Sequence, residues 1–456
     1  MATNPNPHPD TIRETVKLLD DQSISTYELI TRMLTRIQET DEDVIAWLDV
    51  RPGFLLELAE AQDRRRRLPK PPTALFGILI GVKDIIDVAG YQTVCNMEAR
   101  QHVPEAGRDA EVVHAMRQSG VIFLGKTVTQ EAAAGIYSDP CRNPWDTDRI
   151  PGGSSGGSAA ALANGTCLGA FGTDTGGSIR IPASLCGVVG LKPTYGRLGT
   201  RGIFPLSPSL DTPGPMARNV ADCMALYLAM TGKHREIPAM WDRFPQGSVS
   251  LAGKRIGVLT SFFNEHLQPE VAAAQHRAQD VLVSLGADIV ECDWQDATAA
   301  RYAAGMISRI ECAQVHRDLL YNAPHLMGEQ LRRRVEIGAL LPADTWFTAN
   351  AARDRARASV AALYDEHQLD AILAPTTPVT APLVGDETIT YADGSSEDTG
   401  AALTRLTAPW NATGQPVFAI PAGLDDGGMP IGLSLVGRPD EEWALADLAH
   451  ALEQAL

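Results

Sequence analysis

The segment from Pro151 to Arg197 constrains this chain most, because it is dense in glycine and serine and contains no histidine. It holds the clusters GGSSGGS and TGGS, and no histidine occurs anywhere between His114 and His234. A serine among glycines presents its hydroxyl beside free backbone N–H groups, as an acyl-transfer site requires. The usual base for such a serine is imidazole. Because none is nearby, the sequence predicts a serine nucleophile served by another base, a lysine.

The composition fits a globular enzyme that acts on small molecules. The 456-residue chain is 44% hydrophobic and 21% charged, and its net charge of −17 argues against nucleic acid or an anionic membrane as a partner. Seven scattered cysteines without C-x-x-C spacing fit a reducing compartment with no disulfide framework and no zinc site. The first ten residues lack the apolar core of a signal peptide, and no apolar run is long enough to span a membrane. We therefore expect a cytoplasmic enzyme that needs no metal or other cofactor.

Strand-like and helix-like segments alternate along the chain. Apolar runs that predict buried strands begin at Leu75, Val121, Arg255, Ala287, Asp370, Pro416 and Pro430. Ser25 and Glu28 form an S-x-x-E capping box that predicts the start of a helix. This alternation predicts an α/β fold with a mixed, largely parallel sheet covered by helices on both faces. Residues 297–367 have an almost purely helical pattern, which indicates a lid or substrate-binding subdomain.

Three segments of the chain carry long motifs. Within the glycine-rich segment, GGSSGGSAAA is followed by GTDTGGSIRIPAS and CGVVGLKPTYGR. The other two segments are GILIGVKDIIDVAG, from Gly77, and DAILAPTTPVTAP, from Asp370. Together they resemble the amidase signature family, the second segment its lysine strand and the third its proline-rich segment. The resemblance covers nearly the whole chain and is weakest between about 235 and 361. It implies one amidase-signature domain over residues 1–456, with a mixed sheet of about eleven strands and a catalytic core at 75–220.

The resemblance implies a Ser–cisSer–Lys triad made of Ser178 as nucleophile, Ser154 as relay and Lys83 as base. An amide needs an activated nucleophile and a proton for its leaving amine. A lysine is a base only when neutral, and burial behind the apolar run ILIGV would lower the pKa of Lys83. Lys83 could then take a proton from Ser154 while Ser154 takes one from Ser178. Lys126, which also follows a strand, is the alternative base.

Neighbouring residues are expected to support this chemistry. The backbone N–H groups expected to form an oxyanion hole belong to Thr175, Gly176, Gly177 and Ser178. We expect Ser155 to hydrogen-bond within its loop, and Asp174 and Arg180 to form a structural ion pair.

The sequence also permits another class of serine hydrolase. GGSSG, from Gly152 to Gly156, satisfies the G-x-S-x-G elbow of α/β-hydrolases. That elbow needs a preceding apolar strand, whereas CRNPWDTDRIP precedes it here. The longer resemblance therefore outweighs the short motif.

Within the family, the main alternative is the glutamine-hydrolysing A subunit of a tRNA-dependent amidotransferase. Such proteins carry an Asp, which holds the glutamine amino group, seven residues before an Asn. The corresponding positions here are Thr404 and Asn411. A neutral threonine cannot pair with an ammonium group, so glutamine recognition is not expected.

Apart from Thr404, the pocket is expected to be lined by apolar residues. Its predicted apolar lining residues are Ile136, Tyr137, Ile203, Phe204, Leu206 and Trp410. These residues favour a free-standing amidase for small, largely uncharged aryl or aliphatic amides. Carbamates, urethanes and activated esters could enter the same pathway, and ureido compounds of the carboxybiuret type are an alternative. We expect a monomer or homodimer that requires no partner protein.

Overall fold

A mixed sheet of eleven strands organises the computed structural model, which describes residues 11–68, 73–245, 247 and 249–456. The first ten residues, on which the signal-peptide expectation rests, lie outside the described residues. The strands are β1 (Trp47–Val50), β2 (Leu79–Lys83), β3 (Ile122–Thr127), β4 (Gly169–Asp174), β5 (Val189–Lys192), β6 (Thr212–Ala217), β7 (Arg255–Leu259), β8 (Asp288–Cys292), β9 (Ala371–Pro375), β10 (Thr388–Thr390), β11 (Ser396–Asp398), β12 (Val417–Leu424) and β13 (Pro430–Val436). Strands β10 and β11 pair separately from the large sheet.

The strand order is β1-β3-β2-β4-β6-β5-β12-β13-β9-β7-β8. All the apolar runs predicted to be strands lie in this sheet, but the expectation of a largely parallel sheet is wrong. Strand β2 is parallel to β3 and β4, and β7 is parallel to β8 and β9, whereas the other neighbours are antiparallel. One reason is that short connections, such as the one between β12 and β13, return the chain antiparallel, while parallel pairs need long crossovers.

Strand β6 has a sequence, TPGPMA, that does not resemble an interior strand. Prolines donate no ladder hydrogen bond and are normally confined to sheet edges. Here Pro213 and Pro215 pair with β4, and the β5 side is paired only through Met216 and Ala217. The prolines therefore fit because the second ladder is short.

Helices surround the sheet. They are α1 (Ile12–Asp20), α2 (Thr26–Val44), α3 (Pro52–Arg66), α4 (Glu111–Gln118), α5 (Gly156–Ala163), α6 (Arg180–Cys186), α7 (Val220–Met230), α8 (Ile237–Arg243), α9 (Pro269–Ser284), α10 (Ala297–Val315), α11 (Arg317–Asn322), α12 (Glu329–Leu340), α13 (Ala343–Glu366), α14 (Thr399–Arg405), α15 (Ala408–Thr413) and α16 (Glu442–Ala455). Short 3₁₀ turns occupy Glu98–Arg100, Glu131–Ala133, His234–Glu236 and Pro324–Leu326.

Local sequence signals set several of these boundaries. Helix α2 starts at the predicted capping box, where the Glu28 N–H donates to Ser25 Oγ at 3.1 Å and the Ser25 N–H donates to the Glu28 carboxylate at 2.8 Å. Residues 297–367 are helical as predicted and contain α10 to α13. No helix in the described part of the chain combines the length and apolar character needed to cross a membrane.

Candidate active site

Lys83 is a fully buried lysine at the end of β2. Strand β2 lies between β3 and β4, and all its residues are buried, so the lysine reaches the site from inside the sheet. Its Nζ donates to Ser154 Oγ at 2.7 Å and to Thr173 Oγ1 at 3.1 Å. Burial lowers the pKa of Lys83 to about 7, although Asp211 and Asp174 oppose the shift. A substantial fraction of this amine is therefore neutral near pH 7.

Ser154 lies in a tight loop before α5 and follows a cis peptide bond from Gly153. A Cβ at Gly153 would lie 2.8 Å from the carbonyl carbon of Ile136, so this position requires glycine. The Gln130 N–H donates to the Ser154 carbonyl at 3.1 Å and fixes the loop from outside. No strand precedes the GGSSG sequence within the described residues 141–150, as the α/β-hydrolase elbow would require.

Ser155 ties the loop of Ser154 to the loop of Ser178. Its N–H donates to the Ser178 carbonyl at 3.2 Å, and its hydroxyl donates to the Thr173 carbonyl at 3.3 Å. Ser155 was expected to hydrogen-bond within its own loop, whereas both of these bonds reach other segments of the chain. They hold the segments of Ser154 and Ser178 against the end of β4.

Ser178 lies at the bottom of a cavity and is 8% exposed. Gly176, also at the cavity, has no atom within 4 Å of where a Cβ would lie. Gly177 has φ of +131°, and a Cβ there would lie 2.3 Å from Thr407 Oγ1. Glycine is therefore needed at 177 to place Ser178 at the cavity surface.

One part of the predicted oxyanion hole is wrong. The Gly177 N–H donates to Asp174 Oδ1 at 2.9 Å, so it is not free to bind a substrate oxygen. Within the described chain, the N–H groups of Thr175, Gly176 and Ser178 have no such acceptor. All three of these residues line the cavity, so their N–H groups remain candidate donors to a substrate oxygen.

Asp174 and Arg180 form a fully buried ion pair behind the serine loop. Arg180 donates from Nε to Asp174 Oδ2 at 2.9 Å and from Nη2 to Oδ1 at 2.8 Å. Asn411 donates to Asp174 Oδ1 at 2.7 Å and accepts from Arg180 Nη2 at 2.7 Å. Burial alone would raise the pKa of Asp174, but Arg180 and Asn411 hold it well below its ordinary value. Because Asp174 also binds the Gly177 N–H, the pair shapes the loop that carries Ser178.

Two other lysines are buried near the sheet. Lys126, the alternative base, forms an ion pair with Asp84 at 2.9 Å and also donates to the Gln92 carbonyl. Lys126 is therefore paired with a carboxylate and has no hydrogen bond to a serine among the described residues. Lys192, which the sequence did not single out, is fully buried, donates to the Pro193 carbonyl, and has a pKa lowered by burial to about 7.

A cavity of about 510 Å³ extends outward from Ser178. Four of the predicted pocket residues line it, namely Ile136, Tyr137, Leu206 and Thr404. Thr404 lies on α14 and donates its hydroxyl to the Gly400 carbonyl at 2.7 Å. The threonine therefore offers the cavity no negative charge.

Three predicted pocket residues do not line this cavity. Trp410 is fully buried on α15 and stacks on Phe263 and Trp294 in a second hydrophobic core, with ring centroids 5.1 and 5.0 Å away. Ile203 forms an isolated β-bridge with Ile86, and the Phe204 N–H donates to the Ile85 carbonyl. Residues 203–204 are therefore held by the residues that follow Lys83 in the chain. Large apolar side chains pack with one another here rather than facing substrate.

The cavity wall is more charged than the sequence indicated. Its charged lining residues are Asp139, Arg309, Arg333, Arg334, Glu387 and Asp398. The arginines come from α10 and α12 in the helical stretch, where the sequence has no recognisable motif. Their spacing is that of ordinary amphipathic helices, so only the fold shows that they line the cavity of Ser178.

This chain belongs to the amidase family, whose family model matches residues 28–445. An amidase of Pseudomonas putida is 35% identical over 98% of this chain and 96% of that protein. The glutamyl-tRNA(Gln) amidotransferase A subunit of Myxococcus xanthus is 34% identical over 94% of each chain. Among solved structures, one chain of an inhibitor-bound complex is 32% identical to this chain, with a TM-score of 0.90, over 97% of this chain and 98% of that chain. That complex is described as a vestigial one that reveals the evolutionary origins of an s-triazine catabolic enzyme.

Proposed function

We propose that this protein hydrolyses the C–N bond of small amides through an acyl-enzyme on Ser178. The observation that carries the proposal is the buried Lys83, whose amine contacts Ser154 at 2.7 Å and whose pKa is lowered by burial to about 7. A lysine so placed has no structural partner of opposite charge at ion-pair distance within the described residues. Its contacts suit proton transfer to and from a serine.

In the first half of the proposed reaction, Ser178 Oγ attacks the amide carbonyl carbon. Its proton passes to Ser154 as Ser154 gives its own proton to neutral Lys83. This transfer requires the two serine hydroxyls to come into hydrogen-bond contact when substrate binds. The N–H groups of Thr175, Gly176 and Ser178 are the donors proposed to stabilise the oxyanion. The C–N bond then breaks, and the proton held by Lys83 returns through Ser154 to the leaving amine.

In the second half, water attacks the acyl group on Ser178. The same relay takes a proton from water and returns one to Ser178 Oγ, so that a carboxylic acid leaves and the enzyme is regenerated. Carbamates, urethanes and activated esters can follow the same route, because each forms an acyl or carbamoyl group on the serine. A ureido compound is a further candidate substrate of this site.

A second candidate function is glutamine hydrolysis within an amidotransferase, because one of the relatives above is the A subunit of a glutamyl-tRNA(Gln) amidotransferase. Thr404 weighs against it, since its hydroxyl is bonded to Gly400 and it carries no charge for a substrate ammonium. Ammonia release by the purified chain from glutamine and from simple amides, without any partner protein, separates the two functions. Faster release from glutamine would favour the amidotransferase role.

The nucleophile is tested by covalent labelling and substitution. A fluorophosphonate probe followed by peptide mass spectrometry should label Ser178 alone. Ser178→Ala should lower kcat by about 10⁴-fold or more, because no other group can form the acyl-enzyme. Ser158, a buried serine whose hydroxyl contacts Thr127 at 2.7 Å, provides the matched control Ser158→Ala. Labelling of Ser154 or Ser155, or retained activity in Ser178→Ala, would refute the assignment.

A further inference from the structure

We infer that Thr407 is a positioning residue for the proposed acyl transfer, because its hydroxyl fixes the peptide between Gly176 and Gly177. The inference rests on the proposed amide hydrolysis and identifies a residue that the reaction needs although it does not touch the substrate. Thr407 is fully buried and does not line the cavity within the described chain. Its side chain therefore acts through the loop that carries Ser178.

The Gly176–Gly177 peptide is held at both of its ends. Its carbonyl accepts from Thr407 Oγ1 at 2.6 Å, and its N–H donates to Asp174 Oδ1 at 2.9 Å. A peptide unit is planar, so these two bonds together fix its orientation. Within the described residues, the Thr407 hydroxyl is the only hydrogen-bond donor to the Gly176 carbonyl. Loss of that hydroxyl would leave the peptide held at one end only.

The orientation of this peptide controls the N–H groups on either side of it. The Gly176 N–H and the Ser178 N–H, two of the proposed oxyanion donors, belong to the adjoining peptide units. Glycine has no side chain to restrict backbone rotation, and Gly177 has φ of +131°, so the loop has little stiffness of its own. Because oxyanion stabilisation depends on donors that are in place before the reaction, hydrogen bonds from outside the loop must hold them there.

The two ends of the same loop are tethered independently of Thr407. At one end, Thr175 Oγ1 donates to Asp211 Oδ1 at 2.6 Å. At the other end, the Ser178 carbonyl accepts from the Ser155 N–H at 3.2 Å. The glycine peptide between these ends is the part that depends on Thr407. Removal of the Thr407 hydroxyl should therefore loosen the middle of the loop and leave both ends anchored.

Thr407 is itself held by the buried residues behind the loop. Its carbonyl accepts from Arg180 Nη1 at 3.0 Å. Helix α15 begins at the next residue, and Asn411 on that helix accepts from Arg180 Nη2 at 2.7 Å. The Thr407 hydroxyl also lies 3.4 Å from the Thr404 carbonyl, but a hydroxyl has one proton and its shorter bond is to Gly176. The hydroxyl is therefore directed at the loop by a buried frame.

Three substitutions test the hydroxyl separately from the rest of the side chain. Thr407→Val keeps the shape and removes the hydroxyl, so kcat for a neutral amide should fall by about 10- to 100-fold while KM stays within about threefold of the wild-type value. Thr407→Ser keeps the hydroxyl and should retain at least about a third of the wild-type kcat. Thr413→Val is the matched control, because Thr413 is a buried threonine of α15 whose hydroxyl donates to the Pro409 carbonyl at 3.1 Å.

The rate at which a fluorophosphonate labels Ser178 gives a second readout that does not depend on turnover. Thr407→Val should slow the labelling by about the same factor as kcat, because the phosphoryl oxygen of the probe needs the same N–H donors. The pH at which kcat/KM rises should stay the same, because Lys83 and its contacts are unchanged. A purely structural role of Thr407 would not predict a loss in kcat and labelling with KM preserved.

Near-wild-type kcat and labelling in Thr407→Val would overturn the inference and leave amide hydrolysis standing. Thr407→Ser as slow as Thr407→Val would also overturn it, since the methyl group would then matter, and so would an equal loss in Thr413→Val. If Thr407→Val does not fold, as judged by denaturant unfolding, Thr407→Ala takes its place and the same criteria apply. Failure of the proposed function is recognised separately, as no hydrolysis of any amide by the wild-type protein and no labelling of Ser178.

Discussion

The residues at 75–220, here called the catalytic core, and those at 297–367, here called the helical region, place their charged side chains in different settings. In the catalytic core, Asp174–Arg180 and Asp84–Lys126 are buried ion pairs, and burial lowers the pKa of the two buried lysines without a carboxylate partner in the described part of the chain, Lys83 and Lys192. In the helical region, Arg309 and Arg334 face the cavity without a carboxylate partner among the described residues. Lys83, Ser154, Ser178 and the two ion pairs are also buried, whereas Leu340 and Phe347 of the helical region are 83% and 72% exposed.

This contrast indicates that proton transfer and substrate selection depend on different parts of the molecule around one cavity. Proton transfer needs groups held at fixed distances in a dry environment, which a sheet with glycine-rich loops provides. Substrate selection needs only a few side chains on surfaces that can change without disturbing the sheet. We therefore propose that the core performs the chemistry and that the helical region serves as the lid or substrate-binding part.

The largest expected effect distinguishes two buried lysines of the core. Lys83→Met should lower kcat by about 10²- to 10⁴-fold, because it removes the base and keeps the side-chain volume. Lys192→Met is the matched control, since Lys192 is equally buried but donates to a backbone carbonyl. Steady-state kinetics with a neutral amide measures both. Near-normal rates in Lys83→Met would break the assignment of chemistry to this residue.

A smaller effect concerns the stability of the core. Asp174→Asn should reduce the free energy of unfolding by about 3–5 kcal/mol, because Arg180 would then be a buried charge without its partner. Denaturant unfolding of the purified variant measures the change. Because Asp174 holds the Gly177 N–H, the variant should also lose activity beyond what unfolding explains. An unchanged unfolding midpoint would show that the pair does not hold the core.

The smallest expected effect is on the free energy of unfolding when a residue of the helical region is changed. Arg309→Gln should change the free energy of unfolding by no more than about 0.5 kcal/mol, because no ion pair is lost and repulsion from Arg334 is relieved. A loss of several kcal/mol would mean that Arg309 is structural, and the contrast between the two regions would fail.

The burial of Lys83 and the need for glycine beside Ser178 could be predicted because each leaves a local signature in the sequence. The glycines that place Ser178 and the apolar run that buries Lys83 both lie next to the residues they serve. The occupied N–H of Gly177 could not be foreseen, because it depends on where the fold places Asp174. Trp410 was expected at the pocket, but aromatic residues distant in sequence bury it in the second core.

The helical region shows the limit of such prediction. Its helices were predicted from periodicity, but periodicity does not show which helix face meets a cavity formed by distant segments. Arg309 and Arg334 look like ordinary solvated residues in the sequence, and only the packing of α10 and α12 brings them to the cavity that Ser178 also lines. Strand β6 was missed because its prolines argue against an interior strand. They fit only because the ladder between β6 and β5 is short, which the sequence does not show.

The central claim, that neutral Lys83 is the base, is tested most directly by the pH dependence of kcat/KM for a neutral amide. The protonated amine cannot accept a proton, so the rate should be low below the pKa, rise through a single ionisation near pH 7 and then reach a plateau. Lys192→Met should keep this rise, although burial lowers the pKa of Lys192 to about 7 as well. A rate that is independent of pH between about 5.5 and 9, or a rise that disappears in Lys192→Met, would contradict the account.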